Sequence, residues 1–351
     1  MKKLMSSALF LVVLGLLAAQ PGAAQNYNEL EKIPQALIDG AKKEGKMVWW
    51  GTDSSRYSSK IINAFNKKYP FIKIAYTDGM GTEFGDRILM EADAGVCTVD
   101  LVNGADSFLP QMTARGVVKH IGDLPFFKIW PQGAKDPKGY WFGMNSTRWV
   151  LGYNTRDISS ADVPKTYDEI VDPKWKGQFA IEERPDQWFL GLWLDWGQEK
   201  TTKTLKKVMA NNPHVGKGYS ALTELLMAGE FKFFFPVQDY KIVQFQDKKA
   251  PIGWVPLRPT EVTFQGAHIM KKAPHPHAVE LFIRWLTSLE GQTIYNKVTH
   301  KASLHPGMAT KAPLGVFPKD TQYTYRTPES YELLAPGTAL RKTWDQLVHG
   351  M

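Results

Sequence analysis

The chain has 351 residues, with 43 Lys and Arg against 35 Asp and Glu, a formal charge of +8. The basic residues are scattered and form no stripe, which excludes the electrostatic footprint of a nucleic-acid binder, so no nucleic-acid partner is expected. A single cysteine, Cys97, excludes an internal disulfide, so packing must hold the fold; 12 Trp and 13 Tyr supply material for it.

Lys2 and Lys3 precede an apolar run over residues 8–19, a break at Gln20, Pro21 and Gly22, and small residues at Ala23 and Ala24. This reads as a secretory signal peptide over residues 1–24, too short to span a bilayer, and it places the mature chain in the periplasm. No cysteine lies near the cleavage point, so a lipid anchor is not expected. The remaining chain exceeds the size at which one core stops growing, so two lobes are expected.

Residues 33–43 read as a helix stopped by Gly45, and Lys46–Gly51 as a buried strand. Thr52, Asp53, Ser54 and Ser55 follow and can cap a helix that starts near Arg56, carries Tyr57, Ile61 and Phe65 on one face, and ends at Pro70. Residues 72–76 alternate as a strand, 84–94 form a helix after Gly79 and Gly81, and 99–102 form a third strand ending at Asn103-Gly-Ala-Asp106-Ser107. Alternating strands and helices imply a parallel, helix-covered sheet, whose ligands sit beyond the strand carboxyl ends, at helix N-termini. Thr52, Asp53 and Ser54 after the first strand, and Asp106 and Ser107 after the third, are therefore candidate ligand residues or plain caps.

Residues 117–139 read as a passage between lobes. Residues 140–143 and 148–153 read as paired strands, 178–181 as another, 188–196 as an aromatic helix, and 201–210 and 220–228 as helices, the last stopped by Gly229. The Phe-rich strand 231–235 leads to Asp239 and Tyr240. Residues 252–255 and 262–264 are expected to cross back to the first lobe, Pro276 begins a helix with an apolar face, and the stretch after Leu304 is expected to wrap the second lobe. Among the charged residues, Arg148 sits between apolar neighbours and either pairs with a carboxylate or clamps an anion. Arg184, Asp186 and Gln187 follow a strand and precede a helix, the second lobe's counterpart of a ligand loop. His275 and His277 flank Pro276 at a spacing that does not suit a helix-borne metal pair, so no metal site is expected there.

Four stretches together resemble the iron(III)- and small-anion-type solute-binding proteins of ABC importers: Lys46-Met-Val-Trp-Trp-Gly51 with its helix, Val99-Asp-Leu-Val-Asn-Gly-Ala-Asp106, Thr166-Tyr-Asp-Glu-Ile-Val-Asp-Pro-Lys-Trp-Lys-Gly177, and the segment from His275 to Gln292. The resemblance implies the two-lobed α/β periplasmic-binding-protein fold of type 2, with a hinge and an interlobe ligand cleft. The lobes are expected at 25–139 with 256–303, and at 140–255 with 304–351. It also implies a monomer that hands a small-molecule solute to an ABC permease at the inner membrane. Ser54 and Asp106 are expected to serve the first lobe, and Arg148, Asp186, Gln187 and Tyr240 the second.

The iron-binding branch of that family carries consecutive tyrosines after a Gly-Glu pair. Here Gly229-Glu230 leads to Asp239-Tyr240, Ser54 stands where that branch often has a histidine, and its carboxylate after the third strand falls on Ala105. Ferric iron, held by Asp239 and Tyr240, is therefore the alternative, and a small organic anion the main expectation. The sequence lacks a G-x-S-x-G elbow, a P-loop, an H-E-x-x-H and a helix-opening G-x-G-x-x-G, so no catalytic residue or cofactor is expected. An exported hydrolase or lyase is the rival of another class.

Overall fold

The structure is a computed structural model that describes residues 27–104, 106–308 and 328–350, with the side chains of Asn28, Glu29, Asp106, Pro328, Glu329 and Tyr331 left outside the description. The expected leader at 1–24, and residues 309–327 of the expected C-terminal wrap, lie outside the described residues. The strands are β1 (Lys46–Gly51), β2 (Lys73–Asp78), β3 (Leu101–Asn103), β4 (Phe142–Asn154), β5 (Phe179–Glu182), β6 (His214–Gly216), β7 (Phe233–Gln238), β8 (Ile252–Pro256) and β9 (Val262–Ile269). They join in the order β2-β1-β3-β9-β4-β7-β5-β6, with β8 also on β4.

Strand β1 shows why these residues form a covered sheet. Met47 and Trp49 enter one core and Val48 and Trp50 another, so both faces are apolar and both are buried. The expectation of parallel pairing holds for β1 with β2 and β3, and for β5 with β6 and β7. It fails for β4, β8 and β9, which run antiparallel to their neighbours. Of these, β4 and β9 join the two halves, while β8 lies within the second. Met144 of β4 belongs to the core built on Trp49, Phe65, Phe282 and Trp285, while Trp149 of the same strand belongs to that built on Phe179, Trp188, Phe233 and Trp344. The two lobes thus share one sheet and meet along β4 and β9.

Packing is dense on both sides. The helix Ser55–Lys68 buries Ser58, Ile61 and Phe65, and Phe65 meets Phe282 and Trp285 edge-on at 5.1 and 5.3 Å between ring centroids. Each such aromatic contributes about 1.5–3 kcal/mol by leaving water. The helix Pro276–Leu286 buries Ala278, Leu281, Phe282, Trp285 and Leu286, the face read from its spacing. It meets the helix Leu289–Thr299 so closely that a Cβ on Gly291 would lie 2.0 Å from the Trp285 carbonyl oxygen. On the far side, helix Ala339–His349 packs on the long helix Asp186–Ala210, and Trp344 donates its indole N–H to the Glu183 carbonyl at 2.7 Å.

Several elements differ from the sequence reading. Residues 140–143 and 148–153 are not a pair but parts of the single strand β4. The helices expected at 188–196 and 201–210 are joined across a break at Gly197, whose φ of 74° is left-handed. The Phe-rich strand starts at Phe233 and runs on to Gln238, so it leads directly to Asp239 and Tyr240, which open the helix Asp239–Gln246.

Candidate functional site

A cleft of ≈ 190 Å³ opens where the lobes meet. Its floor is Asn145, Thr147 and Trp149, alternate residues of β4, together with Thr263, Phe264 and Gln265 of β9. Gln187, from the first turn of the long helix, and Gln238 and Tyr240, from the β7 end, form one wall; Lys301 forms the other.

Lys301 is held in place by its own backbone. The helix before it ends at His300, a left-handed C-cap with φ 63°. Asn296 donates to the Lys301 carbonyl at 2.8 Å, and Ala302 bridges Ser146 of β4. The Lys301 ammonium donates to Asp53 Oδ1 at 2.5 Å and to Gln265 Oε1 at 3.1 Å, and lies 5.4 Å from the Tyr240 ring centre. The other Asp53 oxygen accepts the Tyr295 hydroxyl at 2.6 Å. Asn145 donates to Gln265 Oε1 at 2.6 Å and to the Tyr295 oxygen at 2.9 Å, while Gln265 Nε2 donates to Thr52 Oγ1 at 2.6 Å. These bonds link Thr52, Asp53, Asn145, Gln265, Tyr295 and Lys301 into one network, buried at Asp53, Asn145 and Tyr295 and open to the cleft at Lys301 and to solvent at Thr52.

Its electrostatics follow from burial. Burial pushes the Lys301 ammonium down, but Asp53 beside it outweighs that and holds it above its ordinary range. Burial, and then Asp53, carries the Tyr295 phenol well above its ordinary value; burial also raises Tyr240, against the pull of Lys301. Lys241 is lowered by burial and by Lys301, a second cation near the first. On the second lobe, the Trp149 indole N–H and Gln238 Oε1 are buried without a hydrogen-bond partner among the described residues. Glu182, at the β5 end, takes the Gly218 N–H on both oxygens at 3.1 and 3.0 Å, and burial raises its carboxyl.

Of the residues read from sequence, the structure brings Thr52, Asp53, Gln187 and Tyr240 to the cleft or its supporting network. Ser54 is an exposed N-cap, accepting from the Arg56 N–H at 3.4 Å. Asp106 and Ser107 lie in a short 3-10 turn, Ser107 exposed. Arg148 faces the opposite side of β4 from Thr147 and Trp149, so it clamps nothing in the cleft. Its Nε donates to Asp239 Oδ2 at 2.7 Å, and its guanidinium lies 4.7 Å from the Trp254 ring centre. Asp239 is fully buried and also accepts the N–H of Arg148 and of Tyr240, so it is committed to structure and is not available as an iron ligand. Asp186 pairs with Arg341 at 2.9 Å, tying down the last helix, and Arg184 is exposed. His275, His277 and His305 each take one carboxylate, from Asp100, Glu44 and Glu31, and no three His, Cys, Asp or Glu among the described residues are placed to hold a metal.

Sequence reasoning missed Asn145, Trp149, Gln238, Gln265 and Lys301. The available signal lay in β4 and β9, where polar residues interrupt otherwise apolar strands; Lys301 carried none.

A family profile described as bacterial extracellular solute-binding protein matches residues 60–323. Iron uptake protein A1 of Synechocystis sp. is 24% identical over 311 residues, covering 81% of this chain and 84% of that protein. Among solved structures, iron-bound HitA from Pseudomonas aeruginosa superposes with a TM-score of 0.69 at 18% identity, over 87% of this chain and 98% of that one. The substrate-binding protein of an ABC transporter from Agrobacterium tumefaciens superposes with a TM-score of 0.66 at 19% identity, over 88% and 96%. Both structural likenesses are likenesses of fold.

Proposed function

This chain belongs to the bacterial extracellular solute-binding protein family, and from that premise we propose that it captures a small solute between its lobes and delivers it to the permease of an ABC importer. The observation that carries the reading is a cleft lined from both sides, by Gln187, Gln238 and Tyr240 of one lobe and Gln265 and Lys301 of the other. A ligand that touches both walls favours closure, because only a ligand with different contacts in the open and closed forms can shift that equilibrium. β4 and β9 are the hinge. The proposed lobes are 25–139 with 256–303, and 140–255 with 304–351, except that among the described residues Phe142, Met144 and Leu304 pack in the first lobe's core and Leu257 in the second's. The protein acts in the periplasm as a monomer, binds without turnover, and needs no cofactor. No helix among the described residues is long and apolar enough to cross a membrane, which accords with delivery to a separate permease.

The solute is a small organic anion. Lys301 lines the cleft and Lys241 lies 5.9 Å from the Tyr240 ring centre, while Asp53 is paired with Lys301 and Asp239 with Arg148, so the second lysine leaves a positive charge that an anion meets. The second reading is ferric iron, and the names of the relatives favour it more directly than they favour any organic solute. Tyr240 and Asp53 are the hard oxygen donors it would use. Intrinsic tryptophan fluorescence, read while titrating organic acids and ferric nitrilotriacetate separately, decides between them. Silence toward both classes refutes capture in this cleft, and product formation on esters or phosphates refutes binding without turnover.

A further inference from the structure

The first-lobe side of the cleft is a nest of hard oxygen: the Asp53 carboxylate, the Gln265 amide oxygen and the Tyr295 hydroxyl, with Tyr240 across from them. Such a donor set suits a hard, highly charged cation. Its centre is already filled by a monovalent cation. The Lys301 ammonium is in contact with Asp53 and Gln265 and faces the Tyr240 ring. Tyr57 lies close enough to act on it electrostatically. Its backbone is pinned by Asn296 and by the bridge from Ala302 to Ser146, so the head group is aimed before any ligand arrives.

We propose that Lys301 is the specificity-determining residue of this cleft: a tethered ammonium that fills the hard-oxygen nest, bars a free trivalent metal ion from it, and selects a solute carrying a carboxylate or other oxyanion. The proposal rests on the reading of this cleft as the ligand site. Three points support it. A metal ion entering the nest must displace or sit beside a fixed positive charge, and inside a protein like charges a few ångströms apart repel far more strongly than in water. Asp53, which a metal would need, has both oxygens engaged, one by Lys301 and one by Tyr295. Lys241 adds a second cation, 5.9 Å from the Tyr240 ring centre where Lys301 is at 5.4 Å, so the two lysines exceed the one charge of Asp53 and a ligand oxyanion completes the balance.

The test compares wild type with K301M, K301Q and K301R. Each is dialysed against ferric nitrilotriacetate, retained iron is counted, and the visible absorption of a phenolate–iron bond is recorded. Wild type and K301R are expected to retain no iron. K301M and K301Q, folded by circular dichroism, are expected to bind one ferric ion at least about a hundredfold more tightly than wild type, with a visible band that Y240F removes. K301Q keeps a donor toward Asp53, so it covers the case in which K301M folds poorly; for K301M itself, ferric nitrilotriacetate should raise the melting temperature where wild type shows no rise. Iron retained by wild type with Lys301 intact overturns the proposal. So does a folded K301M or K301Q that takes up no more iron than wild type. The underlying reading is separable: a wild type whose fluorescence answers an organic acid, beside a K301Q that gains no iron, keeps the cleft as the ligand site and sinks only the role given to Lys301.

Discussion

Removing Arg148 should damage the fold and leave the ligand untouched. Its guanidinium and the Asp239 carboxylate are 6% and 0% exposed, 2.7 Å apart, behind the strand that floors the cleft. In R148M the Asp239 carboxylate stays buried with only the backbone N–H groups of Arg148 and Tyr240, at 3.3 and 2.8 Å. Breaking such a pair from one side costs about 3–5 kcal/mol, and D239L should cost a similar amount by stranding the guanidinium. The double variant removes both charges. What it still loses are the bonds that the Arg148 and Tyr240 N–H groups donate to Asp239, worth about 1 kcal/mol each, and the stacking of Arg148 on Trp254, worth about 1 kcal/mol. It should therefore lie about 2–3 kcal/mol below wild type, less than the two single losses added together. Urea unfolding followed by circular dichroism measures all four corners of the cycle, and ligand titration of R148M supplies the control. Additive losses would refute the pairing. A stable R148M whose ligand affinity falls tenfold would return Arg148 to the cleft.

Three further outcomes are expected. Lys301, Tyr295 and Tyr240 all hold their protons more tightly folded than at the ordinary values of 10.5, 10.0 and 10.0. The folded state therefore binds more protons than the unfolded one as pH rises past 10, and that share of stability, complete below pH 10, is lost above it; thermal melting at about pH 8 to 11 should show a steep alkaline fall that Tyr295→Phe makes shallower, and an unchanged slope would count against the network. Gly291→Ala places a methyl against the Trp285 carbonyl and should destabilise by about 1–3 kcal/mol or more, read as a lower melting temperature. Trp149→Phe should remove most of the ligand-dependent fluorescence change, since Trp149 lines the cleft; an undiminished response would place the reporting tryptophan elsewhere.

The elements legible in the sequence are those whose burial is uniform. Lys46–Gly51 is apolar on both faces and reads as a covered strand, and the face of Pro276–Leu286 reads from its spacing because nothing interrupts it. The sequence of β4 looks like two strands because Asn145, Ser146 and Thr147 break its apolar run. Asn145 and Thr147 are polar because they face the cleft. The misreading of local structure and the location of the site thus have one cause: a strand that floors a ligand cleft gives up its apolar pattern where it does so. The helix Ala339–His349 carries a legible signal that the sequence reading passes over: Leu340, Trp344, Leu347 and Val348 recur at i, i+4, i+7 and i+8 and pack on the second core.

The site itself was half legible, and the pattern of misses is geometric. Asp239 and Tyr240 are neighbours, as are Arg148 and Trp149, yet in each pair one side chain meets the cleft and the other turns away from it. Reading a loop by composition cannot make that distinction. Lys301 stood outside any pattern because its partner Asp53 is 248 residues away, and an isolated Lys reads as a solvated charge. Two buried ion pairs, Asp53 with Lys301 and Arg148 with Asp239, lie near the joining strand, and each closes within one proposed lobe. Hinge opening about β4 and β9 would then leave both pairs intact. What it would have to break near the hinge is lighter: the Gln244 bond to the Thr299 carbonyl at 3.3 Å, the His300 contact with Asp247 at 3.2 Å, and the approach of Lys301 to the Tyr240 ring. A protein that must open repeatedly is better served by placing its costly buried charges where no lobe motion separates them.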